Sequence, residues 1–194
     1  MGDGLKQDLV GRARRLLTSP SSEWSEIESE PANIPAIYKN YILPLAIFAW
    51  VAVMVGTYLA IGTAVRPALL PALITAMFGV IFTAIGVFIF ALIIDGLAPT
   101  FGGHRNFGQA FKVAAYAPTA AWLVGIFMLI PSFQVQIFAQ AAGGVYSLYL
   151  LYVGLPKLMK PHTGRVVPYI ALTVVCAIGL FFSVALMASS LNIL

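Results

Sequence analysis

From Tyr41 onward the chain is a succession of long apolar runs joined by short polar connections. A helix needs about 20 apolar residues to cross the hydrocarbon core of a bilayer. Five runs meet that length: 41–63, 68–94, 107–130 (interrupted by Pro118), 135–155 and 166–189. None shows the ten-residue alternating segments of a membrane β-barrel. At about 1.5 Å per residue the second run makes a helix of roughly 40 Å, longer than a core of ~30 Å, so it must tilt or protrude. Only 9% of residues are charged and 60% are hydrophobic, against about 25% charged in a soluble domain, too little charge to cover a surface in water. The single Cys176 cannot form an intrachain disulfide and reads as a packing residue. The first 40 residues are polar and carry no short apolar core before a cleavage site, so no signal peptide is expected. The expected fold is an all-α membrane protein: a five-span helical bundle over 41–194, preceded by an amphipathic, interfacial region over 1–40.

Charge orients the bundle. Ten of the eleven lysines and arginines fall on one side: Lys6, Arg12, Arg14, Arg15 and Lys39 before the first span, Arg105 and Lys112 at the second connection, and Lys157, Lys160 and Arg165 at the fourth. Arg66 alone falls on the other. The positive-inside rule places the N-terminus in the cytoplasm and the C-terminus outside. The outer connections, 64–67 and 131–134, and the tail are too short for an external binding domain, so recognition of water-soluble partners is expected on the cytoplasmic face.

Within the N-terminal region, Leu5, Leu9, Val10, Ala13, Leu16 and Leu17 share one helical face, with Arg12 at its edge and Arg14 and Arg15 outside it. This predicts a helix lying in the headgroup layer. A second interfacial helix follows, with Ser19 as cap, Pro20 at its first position and Trp24 and Ile27 on one face. Its four glutamates sit against the preceding arginines, and exposed pairs of this kind contribute little.

The stretch 93–112, IIDGLAPTFGGHRNFGQAFK, holds the only acidic residue beyond Glu30. Asp95 stands where the second run stops, a position at which a carboxylate opposes the helix dipole. Arg105, Lys112, loop N–H groups or the start of the third span are its expected partners. Gly96 and Pro99 favour ending the helix, and Asn106 with Gln109 has the spacing of a capping box. Ionisable groups near a membrane usually carry a role, so Asp95, Arg105, Asn106, Tyr116 and Tyr149 form the candidate polar site. Tyr116 precedes Pro118, an expected kink. Small residues recur at four-residue spacing, at Gly56, Ala60 and Ala64, at Ala117, Ala121 and Gly125, and at Ala139, Gly143 and Ser147, and predict close helix packing. His104 and His162 lack metal-ligand spacing, no nucleophilic triad or phosphate-binding loop is present, and the basic residues are too few for nucleic acid. Neither an enzyme nor a cofactor is expected.

The residues FGGHRNFGQAFKVAAYAPTAAW at 101–122 and YSLYLLYVGLPKLMK at 146–160 resemble the Yip (Ypt-interacting protein) domain family, most closely its bacterial inner-membrane branch. SPSSEWSEIESE at 19–30 and YILPLA at 41–46 resemble it as well. The resemblance implies five spans, a cytoplasmic N-terminus and an inner-membrane location. Eukaryotic members bind Rab-type GTPases in early secretory traffic, but their Asp-Leu-Tyr-Gly-Pro motif is matched here only by Tyr41 and Pro44, at different spacing. The functional expectation is a non-catalytic membrane scaffold or adaptor. Two alternatives stand beside it: a small channel or transporter using Asp95, and a lipid-binding or membrane-shaping protein using the surface helix of Leu5, Leu9, Arg12, Arg15 and Leu16. Expected partners are membrane lipids, proteins on the cytoplasmic face and further copies of the chain.

Overall fold

A proline and a serine make two helices of the N-terminal segment. In the computed structural model, which describes residues 9–61 and 69–190, α1 (Leu9–Thr18) ends at Ser19 and α2 (Pro20–Ser29) starts with Pro20. Proline suits a first helical position because its missing N–H has no intrahelical partner there. The two helices pack against each other as a hairpin. The Ser19 side chain makes no cap bond; its backbone N–H instead closes α1 on the Arg15 carbonyl. Leu5, Lys6 and the connection at 64–67 lie outside the described residues.

The two helices expected over the N-terminal segment form this hairpin, and α2 docks on the bundle. Leu16, Trp24 and Ile27 are fully buried in protein, and α2 packs along α8. The bundle covers these three side chains, while Val10 and Leu17 of α1 stay exposed.

After Asn33, whose side chain accepts from the Ala36 N–H at 3.1 Å, α3 (Ile34–Ile37), a π turn (Tyr38–Ile42) and α4 (Leu43–Ile61) run on as one helical stretch. Pro44 has no N–H to offer the Asn40 carbonyl, and the wider π turn absorbs the missing bond. The first long helix therefore starts at Ile34 rather than Tyr41, because its cap, not its apolar composition, sets its beginning. Next come α5 (Leu69–Leu97), α6 (Phe107–Tyr116), α7 (Thr119–Leu123) with a 3-10 segment Val124–Leu129, α8 (Phe133–Met159) and α9 (Val166–Ser190). Four described stretches are long and apolar enough to cross a membrane: Ile34–Leu59, Ala72–Phe101, Phe107–Leu129 and Phe133–Met159. Val166–Gly179 of α9 is a further, shorter apolar stretch.

The Phe107–Leu129 stretch is the centre of the bundle. Half of it is buried, against at most 28% of the other three, and α4, α5 and α8 all pack on it. Pro118 breaks it. The Ala121 N–H released there donates to Ser147 Oγ of α8 at 3.1 Å, so a hydroxyl on the neighbour replaces the lost helical acceptor. Small residues bring the backbones together, as their spacing predicts. A Cβ on Gly56 would stand 1.8 Å from the Met128 carbonyl oxygen, and one on Gly143 would stand 2.4 Å from Val124. Gly56→Val should therefore cost about 1–3 kcal/mol of overpacking, seen as a lower midpoint of thermal unfolding in detergent.

Candidate functional site

The hairpin is held down by charge. Arg12, only 1% exposed, reaches Glu30 through Nη1 at 3.0 Å and through Nη2, and Glu23 through Nε at 3.7 Å, a contact too long for a hydrogen bond. Glu23, equally buried, also accepts from Arg15 Nε at 2.5 Å and Nη2 at 3.3 Å. The Arg12 guanidinium lies over the Tyr116 ring, 5.3 Å from its centroid, a cation–π contact strengthened by desolvation. Burial alone would loosen the Arg12 proton, but the Glu30 hydrogen bond and the fields of Tyr116, Glu30 and Glu23 outweigh it and hold its pKa above the ordinary value. The Arg12–Glu30 pair is thus buried rather than exposed, where losing one partner is expensive.

Beneath Arg12 the aromatic contacts continue inward. Trp24 and Tyr116 meet edge to face at 6.4 Å, and Tyr116 meets Tyr41 at 4.7 Å. The Tyr41 hydroxyl is 2.7 Å from Thr119 Oγ1, whose own hydroxyl donates to the Tyr116 carbonyl at 2.6 Å. Trp24 sits against Gly154 of α8, where a Cβ would come within 2.4 Å of the indole.

Lys112 closes the arrangement from the central helix. Its ammonium, 1% exposed, donates to the carbonyls of Ile27 at 2.8 Å and Glu30 at 2.5 Å, and to Gln109 Oε1 at 3.3 Å. These carbonyls belong to the C-terminal end of α2, where a cation satisfies both orphan acceptors and dipole. Gln109 Nε2 donates to Glu28 O at 3.1 Å. Farther along α8, Lys157 Nζ donates to Ser21 O at 2.5 Å and Ser25 Oγ at 2.7 Å, Lys160 pairs with Glu28 at 2.8 Å, and Tyr146 donates to Leu17 O at 2.6 Å.

The expected candidate residues fall into different surroundings. Asn106 caps α6, accepting from the Gln109 N–H at 3.1 Å; the reciprocal half of a capping box is missing, because the Gln109 side chain has gone to α2. Tyr116 lies under Arg12. Tyr149 is exposed, edge-on to Tyr146, at the rim of an open cleft lined by Ser19, Ser21, Ser22 and Ser25. Arg105 is exposed. Asp95 sits inside the last turns of α5, which runs on through Gly96 to Leu97. The bend comes later, at Gly102, whose φ of 79° ends the 3-10 turn Ala98–Phe101. Neither Arg105 nor Lys112 reaches Asp95: its enclosed Oδ1 has no hydrogen-bond partner among the described residues. Nearby, Tyr169 has its hydroxyl on the Ile94 carbonyl and its ring stacked on Phe101 at 4.9 Å.

Of the surface-helix residues, Leu9 and Leu16 face the core, Arg12 is buried under the hairpin and Arg15 is half exposed on Glu23. Sequence reasoning did not find the Lys112 and Trp24 anchors. The available signal was a lysine and a glutamine on one turn of an apolar helix, which need partners that the helix itself cannot supply.

Residues 14–186 match the Yip1 domain. The chain belongs to the Yip1 domain family. The match begins inside α1 and so takes in the second half of that helix and all of α2 together with the apolar helices. With those helices, it makes this Yip1-domain chain an integral membrane protein. No curated protein and no solved structure matches it.

If Lys112 fastens the hairpin, Lys112→Met leaves the α2 carbonyls without a donor, at about 1–3 kcal/mol for each buried group. Amide hydrogen exchange over residues 20–30 should then quicken while α4 and α5 stay protected. Arg12→Leu should cost roughly 3–5 kcal/mol by stranding Glu30, and Arg12→Leu combined with Glu30→Leu should recover part of that loss in the same exchange measurement.

Proposed function

We propose that this Yip1-domain protein is a non-catalytic scaffold or adaptor of five spans, with its N-terminus in the cytoplasm, in a bacterial inner membrane. The observation that supports this reading is the docked hairpin. Its inner face is fixed to the bundle by Arg12, Trp24 and Lys112, while Val10, Arg14, Leu17, Ser22 and Glu26 stay exposed on its outer face. A segment anchored by buried ions holds one shape, and a fixed polar surface beside a membrane suits recognition of a protein. Asp95, Tyr116 and Tyr149 share no common polar space, so the geometry does not favour transport through them. Partners on this face and self-association are part of the proposal.

The test compares the full chain with a chain lacking residues 1–35, and with Lys112→Met, in mild detergent. One defined partner set should co-purify with the full chain and be reduced in both variants; recovery of lipid and copies of the chain alone would refute the adaptor reading. Orientation is read separately, in a Cys176→Ala background: a cysteine at His162 should react with an impermeant maleimide only after cells are opened, and one at Gln134 should react in intact cells.

A further inference from the structure

The gap between α8 and α9 carries two features that the adaptor reading leaves unused. The first is a cleft of about 180 Å³, bounded by Leu148 and Leu151 of α8, Val174 and Ile178 of α9, Phe90 of α5 and Pro118 at the break in the central span. Its surface is apolar; the hydroxyl at its wall, Ser147 Oγ, is engaged by the Ala121 N–H. An apolar cavity of about 150 Å³ stays dry and accepts benzene-sized guests. This cleft opens sideways beside Leu148 and Ile178, which are themselves exposed, in an integral membrane protein. What surrounds that opening is hydrocarbon.

The second feature is the connection 160–165, which joins α8 to α9 and so lies across the charged end of the same gap. It exposes Lys160, His162 and Arg165. The 98–106 loop is stitched against it: the His162 N–H donates to the Phe101 carbonyl at 3.0 Å and Arg165 Nη1 to the Thr100 carbonyl at 3.2 Å. That adds His104 and Arg105, both exposed. Glu28 compensates Lys160, but no carboxylate pairs with Arg105 or Arg165 among the described residues.

The two features are spaced as the parts of one molecule. Leu151 is nine residues from Lys160, and Val174 nine from Arg165, about 13 Å of helix in each case. The headgroup layer accounts for about 5–7 Å of this, and the first methylenes of an acyl chain span the rest. Basic pockets between membrane helices bind anionic headgroups by the same logic.

We propose that the α8–α9 gap binds one anionic phospholipid, with an acyl chain in the cleft and its phosphate beside Arg165 and Arg105. The site needs no protein partner, so it stands or falls apart from the adaptor reading.

Native mass spectrometry of the full chain, delipidated in mild detergent and titrated with phosphatidylglycerol or phosphatidylcholine, tests it. One phosphatidylglycerol should persist at activation energies that strip phosphatidylcholine. Arg165→Gln and Arg105→Gln should each weaken that retention about fivefold, and Ala177→Phe, which fills the cleft, should abolish it. In the unsubstituted chain, phosphatidylglycerol with a diazirine in its acyl chain should label peptides 147–151 and 174–178, which decides the matter even if Ala177→Phe misfolds. Equal retention of the two lipids, labelling spread along the exposed face of α5, or a dimer that buries Leu148 and Ile178 with no lipid bound would each overturn the proposal.

Discussion

A buried ammonium near the start of the central helix needs a partner, and the end of α2 is that partner. Lys112 projects from the most buried helical stretch in the protein, where an unpaired charge would cost several kcal/mol. The carbonyl end of a short helix supplies acceptors and a favourable dipole together. Once α2 must be there, its remaining contacts follow. Trp24 needs the flat surface that Gly154 leaves on α8. Glu30 and Glu23, carried by the same helix, need cations, and α1 folds back to provide Arg12 and Arg15. The hairpin is thus the counter-charge of the bundle as much as an appendage to it.

The central helix shows a second compromise. Pro118 breaks it where α4 and α8 press on both sides, and two of the backbone groups around the break accept from or donate to side-chain hydroxyls. Ser147 takes the Ala121 N–H, and Thr119 links Tyr41 to the Tyr116 carbonyl. In a lipid-facing helix the same break would leave backbone groups in hydrocarbon, where each costs several kcal/mol. In the middle of the bundle it is tolerated, and it opens the floor of the α8–α9 cleft.

Much of the fold was legible because its determinants are local or cumulative. Apolar length marked the long helices, the small-residue spacing marked where their backbones approach, and Asn106 before Phe107 marked the start of α6. Helix ends were less legible. Gly96 and Tyr41 looked like boundaries by type, but Gly102 and Asn33 are the ones whose backbone and side chain do the terminating. The candidate site was the least legible part, because it depends on pairs far apart in the chain. Asp95 drew notice as a solitary acid beside basic residues, yet Lys112 is committed to α2 and Arg105 is exposed without reaching it. Nothing in the spacing of residues 9–30 says that Arg12, on the edge of an amphipathic face, ends up inside the protein. A headgroup layer and a protein groove ask for the same amphipathic pattern.

The hairpin also fixes an order of events during synthesis. Residues 9–30 leave the ribosome before their seats, which include Lys112 and Gly154 and emerge long afterwards. Until then the segment carries an exposed indole and arginines and glutamates with no protein surface to bury them. Chains are made at about 5–20 residues per second, so that interval lasts many seconds. Residues 9–30 consequently settle well after they are made, and their docking can report that the fourth apolar helix has arrived.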